Sequence, residues 1–293
     1  MAAIQVSPGM YNHEANQLAN HLGQHLPEAV ALRTILQSPL RSPIANIVAT
    51  FSPDDSPPRY FLVAYVDLSR PGTQVWFYSS CQKAPKSLNL ALEVKTQLQA
   101  LLQYLSLLDY SNCPGGRAPM MGCVPDIFVD ILNPMSTVTY SSIWMKYLFC
   151  PRTDGSLAQD AIKLDPGLAF GKVEENDIHR VMETTAIPRS KAELIVLPNV
   201  AIHDSNGPEK SMVAWCYLAI DGSLSTLYVE EEYRGRGLAK AVGTEILRQQ
   251  QGWSHSDVAE TNLNSRGVLK SLGGVLADWK IGWIRVDLDK LSV

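Results

Sequence analysis

The amino-acid sequence predicts a mixed α/β fold of the α+β type, built as two halves that repeat one order of elements, and three observations carry this prediction. The chain has 293 residues, more than one domain of ordinary size, so length points to two domains. Runs of β-branched and aromatic residues with strand periodicity alternate with amphipathic stretches of helical periodicity. Over 224–250 a strand leads through Arg234-Gly235-Arg236-Gly237 into a helix, and the second half is organised around this connection.

In chain order, 14–25 is expected as a helix whose Ala15, Leu18, Ala19 and Leu22 form one buried stripe, and Pro27 opens a second helix to about Leu36. His21 and His25 lie one turn apart on the first helix; with only His13 nearby, the pair is assigned to a solvated face rather than to zinc. Three β-rich runs at 45–51, 60–67 and 74–79 are separated by Pro-, Asp- and Gly-containing turns and predict an antiparallel meander. Ser87 caps a long helix over 88–108, with Leu92, Leu98, Leu101, Leu102 and Leu105 on its buried side. A loop over 112–125 leads to a strand at 126–132, and the pattern at 136–149 leaves helix and strand open. The stretch 150–167 has the composition of a linker.

The second half then reads as strand 169–173, helix 176–185, a short helix at 191–197, and strands at 200–204, 212–220 and 224–229. Helix 238–250, strand 257–261, a helix opened by Asn262, and a hairpin of 275–279 with 282–288 complete it. The first half repeats this order without the terminal hairpin and ends its meander in Ser-Ser-Cys-Gln-Lys-Ala-Pro-Lys-Ser, which has no glycines. The expected domains are therefore a degenerate copy at 1–155, a linker at 156–166 and a complete unit at 167–293.

A strand that feeds a glycine-rich turn opening a helix is an anion site. The first helical N–H groups lack partners within the helix, they carry the positive end of its dipole, and glycines let a phosphate come close. Arg234 and Arg236 add charge at the same spot, while the Gly-Lys-Ser/Thr of a P-loop is missing. Arg234-x-x-Gly237-x-Ala239 resembles the R/Q-x-x-G-x-G/A signature of the Gcn5-related N-acetyltransferase (GNAT) superfamily, which holds the pyrophosphate of acetyl-coenzyme A. Asn262-x-x-Ser265-x-x-Val268-Leu269 is similar to the helix that follows in that superfamily, with leucine where many members carry an acidic tyrosine.

The whole layout resembles the glycine N-acyltransferase-like and FR47-like branch, through Glu232-Tyr233-Arg234 and the His-Leu-Pro-Glu-Ala-Val segment near the start. The resemblance implies tandem GNAT-like domains and transfer of an acetyl or other acyl group from coenzyme A to the amine of a small, amino acid-like molecule. Acyl-coenzyme A would be the co-substrate, with no metal. The implied cofactor residues are Leu227, Tyr228, Val229, Arg234, Gly235, Arg236, Gly237, Leu238, Ala239, Asn262 and Ser265. Where the branch has a glutamate thought to serve as base, counting back from Arg234 reaches Ser223, and a serine alone is no general base. His203, Asp204, Asp221 and Tyr228 are the other candidates by topology, so the catalytic set is His203, Tyr228 and Ser223; Glu230, Glu231 and Glu232 are read as solvated. A coenzyme A-binding protein without catalysis, and an acyl-coenzyme A decarboxylase or hydrolase, stay open beside the transferase.

With 46% hydrophobic and 18% charged residues and a net charge of −4, the chain carries no basic footprint for nucleic acid. No apolar run is long enough for a membrane span, and the start has neither a signal-peptide nor a transit-peptide pattern. Cys81, Cys113, Cys123, Cys150 and Cys216 are odd in number without a C-x-x-C, which points to reduced thiols and a cytoplasmic protein.

Overall fold

The computed structural model describes residues 5–83, 88–135, 137–151, 162–185, 187, 189–206, 211–250 and 252–291. The chain divides into two compact units, one of residues 1–144 with 278–293 and the other of residues 145–277. These units differ from the sequence boundaries because the chain passes between them inside two long strands.

In the first unit, β1 (Gln5–Ser7) and β2 (Met10–Asn12) precede helices α1 (Ala15–Leu22) and α2 (Val30–Gln37). Strands β3 (Asn46–Ala49), β4 (Leu62–Val66) and β5 (Val75–Ser79) then form the expected antiparallel meander. The opening strands β1 and β2 were not legible from the sequence; they pair with each other, and β2 continues the meander through β3. Pro27 does not start a helix, since its segment is a turn and α2 begins at Val30. Helix α3 (Leu88–Ser106) buries Leu98, Leu101, Leu102 and Leu105, whereas Leu92 is 65% exposed because Leu90 and Val94 take the core side. The Ser87 cap lies outside the described residues.

Next come β6 (Met120–Pro125), which falls in the stretch read as loop, and α4 (Asp126–Leu132), which the sequence reading had as a strand. The correction has a local cause: Pro125 occupies the N-cap position, Asp126 the first turn, and Phe128, Val129 and Leu132 pack at helical spacing. Strand β7 (Thr137–Phe149) settles the open assignment at 136–149 as β, Ser136 lying outside the described residues.

The second unit begins with residues 145–149 of β7 and continues with β8 (Leu168–Gly171), α5 (Ile178–Thr184), α6 (Lys191–Val196), β9 (Asn199–Asp204), β10 (Ser211–Leu218) and β11 (Leu224–Val229). Helix α7 (Leu238–Gln249), β12 (Ser254–Val258) and α8 (Leu263–Ser271) follow. Strand β12 lies three residues earlier than the sequence suggested. The expected terminal hairpin is absent: β13 (Val275–Asp287) is one continuous strand. Gly282, read as the first residue of the hairpin's second strand, sits mid-strand where Ile143 and Val129 would come within 3.3 Å of a Cβ.

These long strands complete each unit. The C-terminal part of β13 pairs antiparallel with β6, and residues 145–149 of β7 pair with β12. Strand order is therefore β1-β2-β3-β4-β5-β6-β13 in the first unit, and β11-β10-β9-β8 in the sheet of the second. The core of the second unit gathers Tyr147, Ile202, Ala214, Cys216, Val242, Ile246 and Leu269.

Candidate active site

Strand β11 has a ladder on one side only. It pairs antiparallel with β10, in the register Ala214 with Val229, Trp215 with Tyr228, Tyr217 with Ser225 and Leu218 with Leu224. One residue of β10, Cys216, thus faces two of β11, Thr226 and Leu227, a bulge, and Thr226 takes φ +52° there, a region a β-branched residue rarely enters. On its other side β11 meets β12 through a single parallel bridge, Ser223 with His255, helped by Ser254 Oγ donating to Gly222 O (2.5 Å) and Ser256 Oγ to Leu224 O (2.9 Å). Beyond that bridge the two strands belong to different sheets. Among the described residues, the β11 edge from Ser225 to Val229 therefore faces an opening instead of a ladder.

The opening leads toward the glycine turn. Gly235 and Gly237 adopt φ +77° and +80°, a left-handed conformation that an L side chain resists. No heavy atom lies within 4 Å of where a Cβ would project from either. Gly237 is the N-cap of α7 and offers no side chain to satisfy the first-turn N–H groups. Behind the turn Leu238, Ala241, Val242, Ile246 and Leu247 anchor the helix in the core, so the uncapped end rests on a rigid element. Arg234 donates to Val229 O (3.1 Å) and pairs with Glu231 (3.2 Å), while Arg236 meets Asp165 Oδ2 at 2.7 Å and lies over the Tyr233 ring. Both guanidinium groups are partly exposed, and so are the carboxylates of Glu231 and Asp165 that they pair with. Ala239 follows in the first turn. Asn262 caps α8 by accepting from Ser265 N (3.1 Å), which orders that helix, and Leu269 is buried in the core.

The three glutamates before the turn differ from one another. Glu231 and Glu232 are exposed, but Glu230 is 16% exposed and takes a bidentate bond from Arg180 at 2.7 Å through both oxygens. Glu230 is thus a structural tie between α5 and the end of β11 rather than a solvated charge.

Of the catalytic candidates, Ser223 sits at the point where β11 and β12 part. Its Oγ donates to Asp221 Oδ1 (2.6 Å), and its N–H bonds the same oxygen (3.0 Å). His203 is elsewhere: it pairs with Met212 at the other end of β10, is 4% exposed, and bonds Lys172 O through Nε2 (3.0 Å). Strand geometry puts the two ends of β10 about 20 Å apart, so the expectation that His203 lies near the sulfur end is not met. Tyr228 stacks on Trp215 (centroids 4.9 Å) and carries Arg234 over its ring, half-exposed at the edge of the opening. Leu227 and Val229 flank it on the free edge. Cys216 is fully buried and its thiol is pushed up by burial, which leaves it unreactive.

Sequence reasoning missed the groups behind Ser223. His255 is wholly buried, with Nε2 3.2 Å from Asp221 O and Nδ1 2.9 Å from Lys146 Nζ, and Lys146 pairs with Asp257 Oδ1 at 2.8 Å. Burial would raise the Asp257 carboxyl, yet Lys146 and His255 beside it hold it well below the usual carboxylate range. The available signal was the two-residue spacing of His255 and Asp257, which puts both on one face of a strand. It was lost because β12 was read as starting at Asp257.

A strand edge freed by a bulge, a glycine turn on a helix N-terminus and a capped second helix give the fold of the Gcn5-related N-acetyltransferases, in a tandem arrangement. Residues 202–284 match the family model of FR47-like protein, and residues 3–139 match that of the acyl-CoA N-acyltransferase verG N-terminal domain. An X-ray structure of a Drosophila protein is similar over 97% of both chains, with TM-score 0.66 and 15% identity. A tandem GNAT protein from the clavulanic acid biosynthesis pathway, determined without acetyl-coenzyme A, is similar over 97% of both chains with TM-score 0.53 and 10% identity. No protein of curated function matches the sequence. Among the described residues no helix is long and apolar enough to cross a membrane.

Proposed function

We propose that the protein is an acyl-coenzyme A-dependent N-acyltransferase that moves an acetyl or other acyl group directly to the amine of a small, amino acid-like molecule in the cytoplasm. The observation that carries this reading is the free edge of β11, open from Ser223 to an uncapped glycine turn. The residues present fit the co-substrate: the pyrophosphate would lie on the N–H groups of Gly235–Ala239 with Arg234 and Arg236 around it, and the pantetheine arm along Leu227, Tyr228 and Val229. From Val229 to Ser223 the strand spans about 20 Å at its usual rise, comparable to an extended pantetheine arm. Asn262 and Ser265 would hold the α8 side. The match to the acyl-CoA N-acyltransferase family model supports the same reading.

Direct transfer asks little covalent chemistry of the protein. An amine and a thioester held together gain rate from proximity, and a peptide N–H near the Thr226 bulge would steady the negative oxygen. With Cys216 buried, no acyl-enzyme is part of the scheme.

The test is turnover of a panel of acyl-coenzyme A thioesters against amines, with free thiol release and product mass both measured. N-acyl products support the reading. Thiol release without an amide would favour hydrolysis, and coenzyme A binding with no turnover would favour a non-catalytic binding protein, which the core position of Leu269 makes the second reading.

A further inference from the structure

An acyltransferase of this kind has to take a proton from the amine and give one to the departing thiolate, and the two residues at the positions for these tasks are Ser223 and Leu269. Neither can take up or release a proton at neutral pH by itself. The structure supplies the missing capacity one residue deeper. On the reading given above, we propose that Ser223 Oγ touches the acceptor amine and relays its proton to the Asp221 carboxylate, whose turn is held in place by His255 and the Lys146–Asp257 pair.

Accessibility sets the order of the relay. Ser223 is partly exposed at the apex of the opening, whereas Asp221 is 4% exposed behind it. An amine at the apex therefore meets the hydroxyl first. Because Ser223 already donates its proton to Asp221 Oδ1 at 2.6 Å, its oxygen lone pairs are the part left to face a donor N–H.

One proton behind Asp221 can be assigned. A backbone carbonyl only accepts, so the contact of His255 Nε2 with Asp221 O places a ring proton on Nε2, while Nδ1 lies 2.9 Å from Lys146 Nζ and 3.2 Å from Asp257 Oδ2. That Nε2–H then donates to the backbone carbonyl of Asp221 at 3.2 Å, with Asp221 Oδ2 at 4.0 Å. Lys146 is matched in charge by Asp257. An Asp-Gly-Ser turn alone would need none of this, since an aspartate that only closes a hairpin is satisfied by the backbone two residues on. Burying a lysine, a histidine and an aspartate behind such a turn is costly, and the cost is explained if the carboxylate must stay fixed while its charge changes.

The step balances without another reactant. The amine lone pair forms the C–N bond at the thioester carbonyl carbon while the C=O pair moves to oxygen. The amine proton passes to Ser223 Oγ as the hydroxyl proton passes to Asp221 Oδ1. When the carbonyl re-forms and the C–S bond breaks, the same path returns the proton to the thiolate, so Asp221 ends as it began. One relay thus covers both the absent glutamate and the absent tyrosine. An acceptor arriving as ammonium first loses one proton to water.

Asp221→Asn keeps an acceptor for the Ser223 N–H and removes the proton site, so it is the first variant. Its kcat should fall by about 10²–10⁴-fold, the worth of a general base, with KM for the thioester and calorimetric coenzyme A affinity unchanged. Ser223→Ala should lose as much, and the double variant no more than either. Ser223→Glu in the Asp221→Asn background, which puts a carboxylate at the apex, should restore turnover. Wild-type turnover in Asp221→Asn or in Ser223→Ala overturns the relay, as does a loss of coenzyme A affinity in step with kcat, which marks a structural defect. If Asp221→Asn does not fold, Ser223→Ala decides alone. A wild-type protein that binds coenzyme A yet acylates no amine overturns the transferase reading instead, and the relay with it.

Discussion

The strand-to-helix connection after β5 and the one after β11 occupy the same place in the two halves and are built from different residues. Among the described residues after β5, Cys81 N–H donates to Ser79 Oγ (3.2 Å), Ser79 Oγ donates to Gln97 Oε1 of α3 (2.8 Å), and Phe61 N–H donates to Ser80 Oγ (3.0 Å). Cys81 itself is buried in the core. After β11 two left-handed glycines leave the helix end uncapped and two arginines beside it. Whether such a connection can take an anion depends on whether nearby side chains have already taken its donors.

The interiors differ in the same sense. The first unit fills its surroundings of α1 with neutral rings, His21, His25, Phe51, Phe61 and Tyr78 in edge contact at 5–6 Å. The second keeps Lys146, Asp257 and His255 inside, next to its opening. Four measurements break or sharpen this contrast.

The largest effect is on folding. A fragment of residues 166–293 would lack the β7 segment that pairs with β12 and would carry a β13 end whose partner is β6. Unpaired strand edges of this kind aggregate, so the fragment should be insoluble or lack a cooperative melting transition. A soluble, fully active fragment would show that the strands lent between sequence halves are dispensable.

Next is coenzyme A affinity. Gly237→Glu places a carboxylate where a pyrophosphate would sit and a side chain at φ +80°, and should weaken binding by about 100-fold or more, equivalent to roughly 3 kcal/mol. Calorimetry on the parent protein should give one site per chain. A stoichiometry of two would mean that the first half also binds, and the contrast drawn above would fail.

How legible these features were depends on how far apart their parts lie in the sequence. The glycine turn could be read because strand, turn and helix are contiguous, and the alternation of 45–51, 60–67 and 74–79 gave the meander. Where one residue serves a distant neighbour, local reading failed. A hairpin was expected between 279 and 282, but the reason for a glycine at 282, the approach of Ile143 and Val129, comes from elsewhere in the chain. Residues 126–132 looked like a strand because Ile127, Val129 and Ile131 are β-branched, although Pro125-Asp126 was a helix-start signal. The Lys146–His255 contact joins residues 109 apart, and no local pattern announces it.

Lys146 gives the third measurement. Lys146→Met strands Asp257 in the core and should destabilise the protein by about 3–5 kcal/mol, whereas adding Asp257→Leu should recover much of that loss. Urea unfolding reads both. In the parent, Asp257 has a depressed folded pKa, so its contribution is present above the unfolded value near 3.9 and lost as pH falls below it. The acid limb of the stability curve should accordingly be shallower in the double variant. A parent whose stability ignores pH in that range would mean the pair is not charged.

The smallest effect belongs to the ring cluster of the first unit, where helical spacing had suggested a solvated histidine pair. His21 and His25 instead stand 5.1 and 5.2 Å from the Phe61 ring, and Tyr78 Oη contacts His25 Nδ1 at 3.1 Å. Burial depresses both imidazoles below their ordinary value; for His25, the charge of Glu28 opposes the shift while His21 and Lys83 add to it. The unfolded chain therefore binds more protons just below about pH 6.5, and stability should fall as pH drops from that point toward the folded values. His21→Phe removes one titrating group while keeping a ring, so unfolding midpoints measured at about pH 7 and about pH 5 should lie closer together in the variant than in the parent. An unchanged gap would put His21 back in solvent and remove the neutral interior from the contrast with the charged one around Lys146.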